Sequence, residues 1–205
     1  MKTVISSALM GVLILTSSAS ALAQASTKNQ APASAAAPAA QEPDTLVLSD
    51  TLTYDDLKKE SIFTGNVVMT RGPMTLHADT LKLRETPDGG QFGTATVESG
   101  KRVRVRQEDP AKFEVLEAEG LRAEYNGVTE EIEMIGNAIV TRLVCGKPID
   151  QIKGERVIYR QASNTYQAFG GAQSAGTDGR VRSVAQPRTR ADAALAECQA
   201  KARKP

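Results

Sequence analysis

Phe63-Thr64-Gly65-Asn66-Val67-Val68-Met69-Thr70-Arg71 returns about 71 positions later as Ile135-Gly136-Asn137-Ala138-Ile139-Val140-Thr141-Arg142. The same offset carries Tyr54 to Tyr125. Weaker copies centre on Ser99-Gly100-Lys101 and Phe169-Gly170-Gly171, so glycines 65, 100, 136 and 170 recur about every 35 residues. A period of this size marks a repeat architecture, in which one unit cannot bury its apolar face alone.

A second pattern alternates with the first. Ser49-Asp50-Thr51-Leu52-Thr53-Tyr54 is echoed by Ala78-Asp79-Thr80-Leu81-Lys82-Leu83. Looser echoes are Ala118-Glu119-Gly120-Leu121-Arg122-Ala123 and Gly154-Glu155-Arg156-Val157-Ile158-Tyr159. Each acidic stretch is followed, after a turn, by one glycine stretch, so the unit is a pair of strands. Turn signals punctuate the chain at Asp55-Asp56, Arg71-Gly72-Pro73, Pro87-Asp88-Gly89-Gly90, Asp109-Pro110, Asn126-Gly127, Gly146-Lys147-Pro148 and Ser163-Asn164. The runs between them are rich in Val, Ile, Thr and Leu. They predict strands near 45–54, 61–70, 74–84, 94–106, 113–125, 130–143, 150–160, 165–172 and 180–184. Short connections leave no room for crossover helices, so the sheet is expected to be antiparallel and meandering.

Alternation assigns the faces. Leu46, Leu48, Leu52 and Tyr54 share one parity, and Val97, Val103 and Val105 oppose Arg102, Arg104 and Arg106. In 62–70 and 132–141 both parities carry apolar residues, as in strands covered on both sides. Glycine within a strand pattern marks a bulge or a close approach. Four in register would bend the sheet along one line and enclose an apolar trough. Aromatic residues are only 4% of the chain and there is no Trp. Such a lining suits a thin core or a groove for something apolar.

The ends differ from this middle. Residues 1–23 read as a secretory signal peptide, with Lys2, an uncharged apolar run and Ala21-Leu22-Ala23 as the cleavage site. Residues 24–43, mostly Ala, Pro, Ser and Gln, read as a disordered tether. The folded domain is expected over 44–184. Residues 185–205 read as a flexible basic tail with a short helix of little specificity. Without Lys2 the chain carries 24 basic and 24 acidic residues, so net charge provides no pull toward nucleic acid.

Catalytic signatures are missing. No nucleophile elbow, phosphate loop or Cys/His metal spacing occurs, so neither an enzyme nor a metal or cofactor site is expected. His77, between Leu76 and Ala78, reads as structural or surface. Asp50, Asp79, Glu119 and Glu155 read as strand-end hydrogen-bonding groups. Cys145 falls at a hairpin and Cys198 in the tail, which argues against a framework disulfide.

Thr64-Gly65-Asn66-Val67 with Arg71-Gly72, Leu76-His77-Ala78-Asp79, Ile135-Gly136-Asn137-Ala138, Ile152-Lys153-Gly154-Glu155-Arg156-Val157-Ile158-Tyr159 and Gln167-Ala168-Phe169 together resemble the OstA-like (LptA) family of periplasmic lipopolysaccharide-transport proteins. The resemblance covers about residues 45–171, and the two cysteines depart from it. It implies an all-β, twisted, open antiparallel β-jellyroll of two facing sheets. It further implies protomers joined head to tail by strand addition, a periplasmic location and lipopolysaccharide, through lipid A, as ligand. The implied partners are the periplasmic subunit of an inner-membrane ABC-transporter complex and an outer-membrane β-barrel translocon. Parity within the repeat makes Leu48, Leu52, Tyr54, Val67, Met69, Leu81, Leu83 and Val103 candidates for the groove lining. Leu121, Tyr125, Met134, Val140, Val157, Tyr159 and Phe169 complete that set. A periplasmic polysaccharide- or glycolipid-binding module is the alternative; a glycan binder would need aromatic platforms.

Overall fold

The computed structural model describes residues 43–203. The signal peptide and all but the last residue of the tether lie outside the described residues. Among these residues twelve strands pair antiparallel and one α-helix follows them. The strands are β1 Thr45–Leu48, β2 Thr51–Asp55, β3 Glu60–Arg71, β4 Met74–Glu85, β5 Gln91–Thr96 and β6 Val103–Asp109. They continue as β7 Glu114–Gly120, β8 Arg122–Asn126, β9 Glu131–Val144, β10 Lys147–Arg160, β11 Thr165–Phe169 and β12 Arg182–Ala185, and α1 spans Arg188–Ala202. Side chains close several of the tight turns. Asp55 Oδ1 accepts from Leu57 N and Lys58 N, each at 3.1 Å. Asn126 Oδ1 accepts from Val128 N at 3.0 Å and Thr129 N at 3.2 Å.

Three runs expected as single strands, 45–54, 94–106 and 113–125, are each broken in two. Pairing explains why. β3, β4, β9 and β10 run through the whole width, whereas each short strand serves one half of a long one. β1 pairs with the Val68–Arg71 end of β3 and β2 with its Glu60–Thr64 end. β5 and β6 divide β4, β8 and β7 divide β9, and β11 and β12 divide β10 in the same way. The result is two half-sheets hinged along one line, joined only by the long strands. It is not the simple meander expected, because β5 pairs with β8 while β6 and β7 lie in the other half.

The hinge line is where the two repeat patterns meet. Gly65 and Asn66 take φ of +82° and +48°, and Gly136 and Asn137 take +74° and +50°. Two successive left-handed residues bend the strand without a second pleat, and a Cβ at the first would be both strained and crowded. At Gly136 that Cβ would stand 2.9 Å from Leu121 Cδ1. The acids of the other pattern satisfy the polar groups that the bend frees. Asp50 Oδ2 accepts from Asn66 Nδ2 at 2.9 Å. Asp79 accepts from Glu98 N and Lys101 Nζ, both at 2.8 Å. Glu155 accepts from Gln173 N at 3.0 Å, and Glu119 pairs with Arg104 at 3.3 Å. The Lys101 ammonium and the Glu98 amide hold the Asp79 carboxyl below the usual carboxylate range.

The main core lies between the half-sheets and includes Val67, Leu81, Ala95, Val103, Ala138 and Val157. A second, small core joins Val144 and Ile149 to Ala194 of α1. Here two expectations are corrected. The tail is not a free appendage, since α1 docks on the β9–β10 hairpin and Lys147 Nζ pairs with Glu197 at 2.7 Å. Cys145 and Cys198 form a disulfide across 53 residues, with Cα atoms 5.8 Å apart. Neither could be read locally, because only the docked helix carries Cys198 to the hairpin.

Replacing Gly136 by Ala is expected to cost about 1–3 kcal/mol in denaturant unfolding, from left-handed strain plus contact with Leu121. Gly89, at φ +84° with nothing within 4 Å of the position a Cβ would take, should lose measurably less as Ala. Equal losses would show that crowding at the hinge is unimportant.

Candidate functional site

The inner faces form rows that cross every strand. In one half-sheet, Leu52, Phe63, Leu81, Ala95, Ala123, Met134, Val157 and Ala168 stand opposite one another in succession. The next row outward runs Tyr54, Ser61, Leu83, Gly93, Tyr125, Ile132, Tyr159 and Tyr166. The facing half-sheet contributes Val47, Met69, Leu76, Val105, Ala118, Val140 and Ile152. Between them opens a cavity of about 880 Å³, lined by Tyr54, Leu81, Leu83 and Tyr125 on one wall and Met69, Met74, Leu76 and Val105 on the other.

The rim is polar. The Arg71 guanidinium lies 5.9 Å from the centroid of the Tyr125 ring and so reaches across from one wall to the other. Toward the C-terminal edge, Arg142 donates to Glu114 Oε1 at 2.8 Å and through Nε to Asp150 Oδ2 at 2.8 Å. On the opposite wall Tyr159 and Tyr166 stack at 4.7 Å. Tyr166 keeps 37% of its surface exposed, yet the packing around its phenol withdraws it from water and pushes it up to about 12, and the neighbouring Tyr159 adds to this.

Twelve of the candidate lining residues face the trough. Leu52 and Tyr54 line it at the N-terminal edge strand, and Leu83, Tyr125 and Tyr159 stand near the mouth. Val67, Met69, Leu81, Val103, Met134, Val140 and Val157 form its floor and are buried. Three candidates are corrected. Leu48 is on the outer face, opposite Val68, and 58% exposed. Phe169 is also outside, opposite Arg156, whose guanidinium lies 4.3 Å from its ring centroid. Leu121 sits on the hinge itself, where its N–H is shared between Ile135 O and Gly136 O.

Counting from the hinge explains each of the three. Strands of the acidic pattern change face as they cross the hinge, while β3 and β9, which bear the Gly-Asn pair, do not. Inward positions therefore lie three before the acid (Val47, Leu76, Leu116, Ile152) and, beyond it, two and four after (Leu52, Leu81, Val157; Tyr54, Leu83, Tyr159). Gly120 and Leu121 are an insertion in this count, so Ala123 takes the row that Leu121 was expected to fill. The glycine pattern places Phe63, Met134 and Ala168 two before the glycine, which makes Phe169 an outer residue. That count would have found Leu76, Phe63 and Ala168, which the single-parity reading missed.

His77 is exposed on the outer face, opposite Val68 and Arg104. Among the described residues no cluster of His, Cys, Asp or Glu could hold a metal ion. Among them, too, no helix is long and apolar enough to cross a membrane.

Met134→Ala is expected to cost about 2–5 kcal/mol of unfolding free energy, and Leu48→Ala to stay within about 0.5 kcal/mol. Comparable losses would contradict the face assignment. Tyr166 should ionise near pH 12 in the folded chain against about 10 when unfolded. Its raised value favours the neutral phenol, so its contribution to stability is complete below pH 10 and is lost as pH rises through about 12. Absorbance titration of the wild type against Tyr166→Phe checks this; a phenol titrating at 10 would refute it.

Comparison with known proteins agrees with the fold. The crystal structure of LptH, the LptA-homologous periplasmic component of the lipopolysaccharide transport device of Pseudomonas aeruginosa, superposes with a TM-score of 0.60 at 24% identity. The match covers 71% of this chain and 96% of that one, and it makes the architecture a β-jellyroll. The lipopolysaccharide export system protein LptH of Pseudomonas aeruginosa (strain PAO1) is 26% identical over 159 residues, 76% of this chain and 86% of the relative. Residues 46–165 match the family described as LptA/(LptD N-terminal domain) LPS transport protein. The span runs from β1 through β10 and covers the hinge and both walls of the trough, and the chain therefore belongs to this family of LPS transport proteins.

Proposed function

We propose that this chain is a periplasmic lipopolysaccharide carrier, which shelters the acyl chains of lipid A in the trough and bridges the inner-membrane transporter complex to the outer-membrane translocon. The observation that carries the reading is a continuous apolar inner face that stays open at its mouth. Each buried CH₂ is worth about 0.8 kcal/mol, so a lipid with several acyl chains needs a dry surface to cross water. The cavity has that character, with Leu81, Leu83, Met69, Leu76 and Val105 in its walls.

The ends of the jellyroll support the bridging part. Among the described residues β1 and β2 pair only with β3, and β11 and β12 only with β10. Unpaired strands at both ends invite main-chain strand addition. A head-to-tail contact between copies does not close on itself and so builds a filament. In such a filament the troughs would align, and the same edges would meet the partner jellyroll domains of the transporter and the translocon. The signal peptide expected over residues 1–23 accords with export to the periplasm. Chemistry is not required of this chain, since transport energy would come from the transporter's ATP.

Photo-crosslinking amino acids at Leu83 and Tyr54 are expected to capture lipopolysaccharide, while the same probe at Leu48 or Phe169 captures little. Equal capture on both faces would refute the trough as the lipid path. Sedimentation of the purified chain should show species that lengthen with concentration; a single monomeric boundary at all concentrations would remove the filament.

A further inference from the structure

Helix α1 docks on the wall of the trough rather than on its outside. In β9, Val140, Arg142 and Val144 alternate without a register break against Ala118, Leu116 and Glu114 of β7. Val140 faces the trough, so Val144 faces it too, nearer the rim. Val144 is nonetheless only 3% exposed, and what covers it is α1, through Ala194 with Ala191 and Leu195 beside it. The helix begins directly after β12, where Gln186 N donates to Ile149 O at 2.9 Å, and its far end is tied by the Cys145–Cys198 bond. One rung deeper, the Arg142–Glu114–Asp150 cluster faces Tyr166 across the gap. A helix is about 10 Å thick, which matches the spacing of two packed sheets.

The open cavity has the complementary distribution. Its lining takes many residues from β2 to β5 but none from 133–160 and none beyond Gln161. The open cavity therefore lies in the N-terminal half, while at the C-terminal end α1 covers Val144 on the rim of the wall. Ala194 is the helix's only buried residue, so its docking face is small and the covalent tie decides whether it stays.

We propose that α1 is a disulfide-latched lid over the Val144 end of the trough, and that opening the Cys145–Cys198 bond admits acyl chains there. This rests on the acyl-carrier reading above. Opening is a thiol–disulfide exchange with a dithiol reductant. A reductant thiolate attacks one sulfur, the Cys145–Cys198 bond breaks, and the leaving thiolate takes a proton. The reductant's second thiolate then releases the mixed disulfide. Both cysteines end as thiols and the reductant as a disulfide, with two electrons and two protons transferred. β12 stays paired with β10, so the lid swings from Gln186-Pro187 without loss of the sheet.

The test uses the full mature chain with a photo-crosslinking residue at Leu116, one rung below the α1-covered Val144, and at Leu83 in the open half. Purified lipid A is the probe, in oxidised protein, in dithiothreitol-reduced protein and in Cys145→Ser/Cys198→Ser. Amide exchange of α1 is followed in parallel. Capture at Leu116 should rise roughly five-fold or more when the bond is absent, with capture at Leu83 unchanged and α1 exchange accelerated. Equal capture in all three forms, with Leu83 active, would overturn the lid alone, as would an α1 whose exchange ignores the disulfide. Silence at Leu83 as well would instead remove the carrier reading, and the lid with it.

Discussion

Everything in this β-jellyroll hangs on how four long strands cross a single bend. Continuous pairing cannot pass through a sharp fold without leaving amides and carbonyls unpaired, and each such group costs free energy if buried. The chain meets this with two devices in strict alternation. Gly-Asn pairs at 65–66 and 136–137 take two left-handed residues and so bend the strand with no side chain in the way. Asp50, Asp79, Glu119 and Glu155 stand on the neighbouring strands and receive the freed donors or pair with nearby arginines. The contribution is geometric more than energetic, since none of these carboxylates is fully buried and ion pairs in contact with water are weak.

The bend also explains why the interior can be so poor in aromatic residues. Two half-sheets closing from a shared hinge are narrow at the floor and wide at the mouth. Small side chains such as Ala95, Ala123 and Ala138 suffice near the hinge, where the walls are close. Toward the mouth the larger Leu83, Tyr125, Tyr159 and Tyr166 do not fill the gap, and a cavity remains. An ordinary sandwich of this length would close that gap with large rings. Under the proposed function this open space is where an apolar ligand would sit, and α1 seats beyond it at the C-terminal end of the wall.

Much of the fold was legible because the repeat is local. Strand positions, the antiparallel pairing, the hinge glycines and the role of the acids all follow from residue types at fixed spacing. Of the trough, twelve residues could be placed by parity alone. Leu48 was misplaced because parity cannot see the face change that acid-bearing strands undergo at the hinge, Phe169 because the inward position of the glycine pattern lies two before the glycine, and Leu121 because a two-residue insertion leaves it on the hinge. Such errors are built into a period of two, where one extra residue exchanges the faces.

What the amino-acid sequence determined by itself is therefore everything carried by short-range pattern: an all-β chain, its repeat unit, its bending points and the apolar character of one face. What only the tertiary structure decided is everything that depends on distant segments meeting. The division of β4, β9 and β10 between two half-sheets requires partners far along the chain. The Cys145–Cys198 bond joins residues 53 apart, and no propensity near either one foretells it. The docking of α1 depends on Val144 and Ile149 presenting an apolar seat that exists only once the hairpin has formed. Local rules set where a strand can bend; only the assembled walls settle which side chains face each other across the gap.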